Sequence, residues 1–287
     1  MGFSLKELTF KGKYLLYLTE QEYAGPWFGF KIRGEKIGTL PILLKNIEPT
    51  PIYKLVNSRK GRYVDRITLD FDIKEYLKKL IKAKKLKPIT FSREDLYVRL
   101  YIDVFNKPKV PYINTFFTFK NISEFDLIDF NIFFIFDFDI NGLEGFDNDY
   151  AEYDEENDII YQYDKSNLYG GFSPISKATN YEACLTNEFS LDQEKMALSN
   201  TIPNTPGEIL SALQIKFKTL EPEQTFQTAL TISGGSSKEE LIQNIIQGKS
   251  DSIKYLSQVN RNVKSNPRNA QQEAFEKINL QEAKDCD

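Results

Sequence analysis

Asp137, Asp139, Asn141 and Gly142 put oxygen side chains at alternate positions ahead of a glycine, the opening of a loop that wraps a hard cation. Calcium takes roughly six to eight oxygen ligands, and alternating oxygens on a sharp turn can converge on it. The twelfth place of an EF-hand, where a bidentate Glu belongs, is Asn148, but Asp147 and Asp149 flank it and could serve in a looser loop. Asn131 to Phe136 read as strand rather than helix, so the pattern is not an EF-hand. Asp137, Asp139, Asn141, Asp147 and Asp149 are therefore the candidate Ca2+ ligands. The plainer reading of the same residues is a solvated, Asn/Gly-rich turn at a strand end.

The acidic run continues through Glu152, Asp154, Glu155, Glu156 and Asp158. Between Glu124 and Asp164 there are fourteen carboxylates and no Lys or Arg. A carboxylate pair about 5–10 Å apart, one protonated and one ionised, can hydrolyse a glycosidic bond. Proximity along the chain does not set that separation, and exposed acidic runs ordinarily form solvated loops. The chain contains no histidine, which removes the commonest general base near neutral pH, the usual zinc ligand and every Ser-His or Cys-His nucleophile. Catalysis would fall to carboxylates, Tyr, Lys or Cys.

Residues 54–93 are opposite in charge, with thirteen basic side chains against four acidic. Ile73, Tyr76, Leu77, Leu80 and Ile81 recur at helical spacing behind Asp72, a capping residue, and Pro88 ends the pattern. The other face carries Lys74, Lys78, Lys79, Lys82, Lys84, Lys85 and Lys87, which could recruit phosphates by counterion release. A solvated face complementing the acidic segment accounts for the same lysines, and nucleic acid is not the favoured partner. Tyr23, Trp27 and Phe28 beside Gly25-Pro26 could form a sugar-stacking platform, although aromatics in a strand-rich chain more often fill the core. Gly170-Gly171 and Gly234-Gly235 lack the spacing of phosphate-binding loops and read as turns.

Strands must position these groups. Tyr14 to Leu18, Trp27 to Ile32, Leu40 to Ile47, Tyr97 to Phe105, Tyr112 to Lys120, Leu127 to Ile140, Ile159 to Tyr163, Tyr181 to Phe189, Leu213 to Leu220 and Thr225 to Ser233 have strand composition. With 22 Phe and 16 Tyr among 287 residues, a large core can form. The expected architecture is mainly β: a large antiparallel, supersandwich-like β-sandwich over residues 1–235, with an amphipathic helix inserted at about 72–87. Helices follow over 236–259, one opening on a Ser236/Ser237 capping box and running through Gln247, a second capped by Asp251. Residues 260–287 are polar and read as a flexible tail. The net charge of −4 obliges neither a polyanionic nor a polycationic partner. Cys184 and Cys286 alone argue against a disulfide framework and for a reducing, cytoplasmic compartment. No apolar run reaches the roughly 18 residues of a membrane span.

The order of features from Tyr97 to Leu241 resembles the β-sandwich, a supersandwich related to the mutarotase fold, that stands ahead of the catalytic helical barrel in archaeal and bacterial glucoamylase-type glycoside hydrolases. The resemblance rests on Thr118-Phe119-Lys120-Asn121-Ile122-Ser123, on the strand into Phe136-Asp137-Phe138-Asp139-Ile140-Asn141-Gly142, on Tyr161 to Asp164 followed by Gly170-Gly171-Phe172-Ser173, and on Leu220-Glu221-Pro222 to Gly234-Gly235-Ser236 before a helix. It covers about half the chain and includes no invariant catalytic motif. It implies the fold and a carbohydrate neighbourhood, but no reaction: the family's barrel does not follow the helices, and mutarotase chemistry employs a histidine that is absent. The functional expectation is a non-catalytic binding or assembly module, carbohydrate-related, that contacts a carbohydrate or a protein partner. A homodimer through edge strands is one way to protect them. The alternatives are a carbohydrate-active enzyme using carboxylates of 137–164 and an anion-binding protein acting through the basic helix 74–87.

Overall fold

Alternating apolar residues along the long strands give each sheet one greasy face, and the two faces close on each other. The computed structural model describes residues 7–17, 24–34, 38–43, 50–54, 63–83, 96–106, 110–142 and 145–265. Strands β1 (Glu7–Phe10), β2 (Lys13–Tyr17), β3 (Ala24–Gly34), β4 (Gly38–Leu43), β5 (Thr50–Lys54) and β6 (Tyr63–Asp72) precede helix α1 (Ile73–Ala83). There follow β7 (Tyr97–Asn106), β8 (Tyr112–Ile122), β9 (Leu127–Asp137), β10 (Tyr150–Asp154), β11 (Ile159–Tyr163), β12 (Tyr169–Pro174), β13 (Asn180–Leu185), β14 (Ile209–Leu220), β15 (Thr225–Gly235) and helix α2 (Lys238–Ser265). The chain is mainly β. An eight-stranded sheet of order β10-β11-β12-β15-β8-β7-β6-β5 packs on a five-stranded sheet of order β13-β14-β9-β3-β4, with β1-β2 as a separate hairpin. The ladders within each sheet are antiparallel.

Between the sheets lies a phenylalanine-rich core. The Phe28 ring meets Phe71, Phe119 and Phe130 at centroid distances of 4.7, 5.1 and 5.8 Å. Phe117 and Phe134 extend the layer toward Phe136, Phe138 and Phe172. Even-numbered residues of β9 from Phe130 to Phe136 face this core. Odd-numbered Phe133 and Ile135 face the other way, against a cap of Leu191, Met196 and Leu198. Both faces of β9 are thus buried, which explains its unbroken apolar run.

Asn121 pins the crossing from β8 toward β9. Its fully buried amide donates to the Phe125 carbonyl at 2.8 Å and to the Leu220 carbonyl at 2.9 Å, while its oxygen accepts from the Ser123 hydroxyl at 2.6 Å. Asn121→Ala leaves at least two buried groups without partners, each costing about 1–3 kcal/mol. We expect a loss of at least about 2 kcal/mol in urea unfolding. An unchanged midpoint would show that water replaces the amide.

Both glycine pairs expected as turns lie inside strands and face each other: Gly170 pairs with Gly234, and Tyr169 with Gly235. Their bare backbone admits close packing from both sides. A Cβ on Gly234 would meet Phe10 and Leu15 at under 3 Å, and one on Gly171 would meet Tyr161 at 2.7 Å and Leu241 at 3.2 Å. The two expected C-terminal helices are one continuous helix. Gly248 lies within α2 at a close contact with the sheet, where a Cβ would clash with Thr231 and crowd Tyr112. Asp251 likewise caps nothing and accepts the Tyr112 hydroxyl at 2.6 Å.

The capping role of Asp72 holds, its carboxylate accepting the Glu75 amide at 3.0 Å. Ile73 and Leu77 are buried, and Lys78, Lys79 and Lys82 are exposed. Lys84, Lys85 and Lys87 lie outside the described residues, as do 266–287 of the expected tail. No helix among the described residues is long and apolar enough to cross a membrane.

Candidate functional site

The outer face of β10, β11 and β12 carries a two-row array fixed by strand register. Tyr150 pairs with Tyr163 and Tyr163 with Tyr169, giving one row of three phenols; Glu152 pairs with Tyr161 and Tyr161 with Gly171, giving the next. Period-two alternation puts all of these side chains on one face. The rings of the first row stack at 5.5 Å for Tyr150–Tyr163 and 5.2 Å for Tyr163–Tyr169. Because β10 is the sheet edge, the ring of Tyr150 ends the stack. In the second row Gly171 leaves room for Leu241, so α2 docks beside the tyrosines with Ile159, Tyr161, Leu241 and Ile245 beneath.

Glu152 is the polar centre of the array. Its carboxylate accepts the hydroxyls of Tyr161 and of Tyr163, the latter at 3.0 Å, and the Lys238 ammonium at 2.9 Å. Burial works against its charge, but these donors outweigh burial and hold the carboxyl below its ordinary value. It stays ionised at neutral pH and is still 44% exposed. Burial and the hydrogen bond to Glu152 push the Tyr163 phenol up to about 12 and raise Tyr161 further. Both remain neutral donors. Lys238 also lies 5.2 Å above the Tyr161 ring, while the hydroxyls of Tyr150 and Tyr169 bond to none of the described residues. The array combines an aromatic edge, spare phenol hydroxyls and an accessible charge-assisted acceptor. Such a surface can hold a polyol by ring contact and hydrogen bonding.

The residues expected from sequence fall elsewhere. Phe28 is 1% exposed in the core, which corrects its place in an exposed platform: β3 alternation sends it inward and Trp27 outward. Trp27 is half-buried against Phe189, 5.9 Å away, and Tyr23 lies outside the described residues. Of the expected cation ligands, Asp137, Asp139 and Asp149 are buried, Asn141 sits at the turn with φ 67°, and Asp147 is exposed on a short 3-10 turn. Among the described residues no three acidic side chains are grouped to hold a metal ion. Among the described residues one Asp149 oxygen has no hydrogen-bond partner, and the Asp137 carboxyl has only a loose contact with Thr186. Burial, then the charges of Asp139 and Glu208, push Asp137 up to about 8; burial, with Asp164, Asp139 and Asp137 adding to it, pushes Asp149 up to about 9.

The remaining acids serve local structure. Asp154 caps its hairpin turn through the Glu156 and Asn157 amides. Asp158 accepts the Tyr153 hydroxyl and the Ala178 amide, and Asp164 holds Ser166. The acids of 137–164 are thus dispersed over an outer face, a buried end and separate turns. The tyrosine array was legible in part: Tyr150-x-Glu152 and Tyr161-x-Tyr163 have strand period and flank a short turn. Which face they share with Tyr169 is a matter of register.

No protein-family model matches this chain, and no curated protein matches it significantly. Among solved structures it is similar to a bacterial glucoamylase complexed with acarbose, with a TM-score of 0.50 and 12% identity over 80% of this chain and 30% of that one. The fold is shared with part of a bacterial glucoamylase. A polysaccharide lyase (TM-score 0.44, 11% identity, 85% of this chain and 32% of that one) and the Slr1438 protein from Synechocystis sp. PCC 6803 (0.42, 10%, 81% and 88%) are more distant. The chain spans about a third of the length of the glucoamylase and of the lyase.

Proposed function

We propose that the protein is a non-catalytic carbohydrate-binding module whose binding surface is the array on β10–β12. The observation that carries this reading is Glu152, ionised and accessible, held by two phenols and Lys238 beside the stacked Tyr150, Tyr163 and Tyr169. The likeness to a region of a bacterial glucoamylase supports a carbohydrate setting. Sugars offer C–H faces to aromatic rings and hydroxyls to carboxylates, and the array supplies both partners on rigid strands. Affinity electrophoresis through gels containing soluble polysaccharides tests it. The wild type should be retarded, and Tyr150→Ala should lose about tenfold in affinity with its melting temperature little changed. Retardation that survives both Tyr150→Ala and Tyr169→Ala would place binding elsewhere.

A calcium role for Asp137 and Asp149 is a second reading, favoured by their buried oxygens, which find little hydrogen bonding among the described residues. Calorimetry with chelator and with excess calcium tests it through linkage. A calcium-dependent rise in melting temperature that disappears in Asp149→Asn supports it, and equal melting in both buffers removes it.

A further inference from the structure

Resting on that reading of the array, we infer that its ligands are uncharged glycans and that uronate-rich or sulfated chains are turned away. The reason is the charge that any chain crossing β10 must meet. Glu152 lies in the array, Asp154 follows on the same strand face, and exposed Glu155 and Glu156 form the adjoining β10–β11 turn. Asp154 acts electrostatically on Tyr161 within the array. Against these four carboxylates stand, among the described residues, Lys238, already committed to Glu152 at 2.9 Å, exposed Lys165 in the β11–β12 turn, and Lys249, whose ammonium is held by the Asn157 carbonyl at 3.1 Å and the Ser173 hydroxyl at 2.8 Å. Glu240 of α2 is engaged by Lys11 at 2.7 Å, so that lysine is also occupied.

An anionic sugar would set its carboxylate or sulfate against Glu152, with no bidentate arginine in the array among the described residues to receive it, and like charges in contact are unfavourable even at the surface. A neutral sugar meets Glu152 as an acceptor for its hydroxyls and feels no such repulsion. It can stack on Tyr150 at the sheet edge and bond the spare hydroxyls of Tyr150 and Tyr169.

Affinity electrophoresis at low salt, with neutral glucan and galactomannan set against polygalacturonate and heparin, decides the matter. Wild type should be retarded by a neutral polymer and by neither polyanion. A Glu155→Lys/Glu156→Lys double variant, altered only at exposed turn residues, should gain at least about threefold in affinity for polygalacturonate while neutral binding stays constant; the gain should shrink as salt screens it. Polyanion binding by wild type equal to or tighter than neutral binding, and lost in Tyr150→Ala, would overturn this inference and leave the array a carbohydrate site. Absence of binding to every polymer would overturn the reading of the array itself, and the inference with it. A double variant that gains nothing on polygalacturonate would overturn the electrostatic cause.

Discussion

Phe28→Ala is expected to destabilise the protein by about 3–5 kcal/mol, the range for removing a fully buried aromatic and leaving a cavity. Phe28 is 1% exposed and touches rings from three other strands, Phe71 of β6, Phe119 of β8 and Phe130 of β9, so neither sheet can close the void without losing contact with the other. Equilibrium urea unfolding, with a shifted midpoint and an unchanged slope, measures the effect. Tyr150→Ala, on the outer face, should cost less than about 1 kcal/mol. If Phe28→Ala costs as little as that, the ring does not bridge the sheets.

The second large effect is on pH dependence. Asp137 and Asp149 have folded-state values pushed up to about 8 and about 9, first by burial and then by the neighbouring acids Asp139, Asp164 and Glu208, while Thr186 at Asp137 and the Ile140 amide at Asp149 pull the other way without prevailing. A carboxyl in the unfolded chain ionises near 3.9. The native state therefore holds protons that the unfolded chain has released, and the stabilisation, complete below about pH 4, declines as pH rises through the folded values. The slope reaches about 1.4 kcal/mol per pH unit for each group. Glu152 and Asp129, with depressed values, act in the opposite sense and only at acid pH. The expected result is a melting temperature that falls between pH 6 and 9. Asp149→Asn should flatten that fall and be more stable than wild type at pH 8, because its amide oxygen can still accept the Ile140 amide that Asp149 accepts at 3.2 Å. A flat wild-type profile over that range would mean that both carboxyls are ionised and neutralised by something bound.

The sequence carries the strands because period-two alternation and β-branched or aromatic content are local properties. Tyr97 to Phe105, Ile159 to Tyr163 and Thr225 to Ser233 match β7, β11 and β15 closely. Helix α1 was legible for the same reason, as its cap and apolar stripe are set within a few residues. Glycine was misleading: the pairs at 170–171 and 234–235 are punctuation when read locally, yet in the folded chain they are places where a helix or hairpin meets bare backbone.

Composition and spacing alone specify the β-rich class, the basic helix and the acidic stretch. Which aromatics face solvent depends on how the sheets pack. A strand's two faces are equivalent until a second sheet covers one of them, and that choice buried Phe28 and left Tyr150 at an open edge. It also decided what each carboxylate does. Neighbours brought from distant positions, Lys238 for Glu152 and Glu208 for Asp137, hold the first charged and help keep the second protonated. The charge of an acid depends on its surroundings in space, and those are settled only when the chain closes.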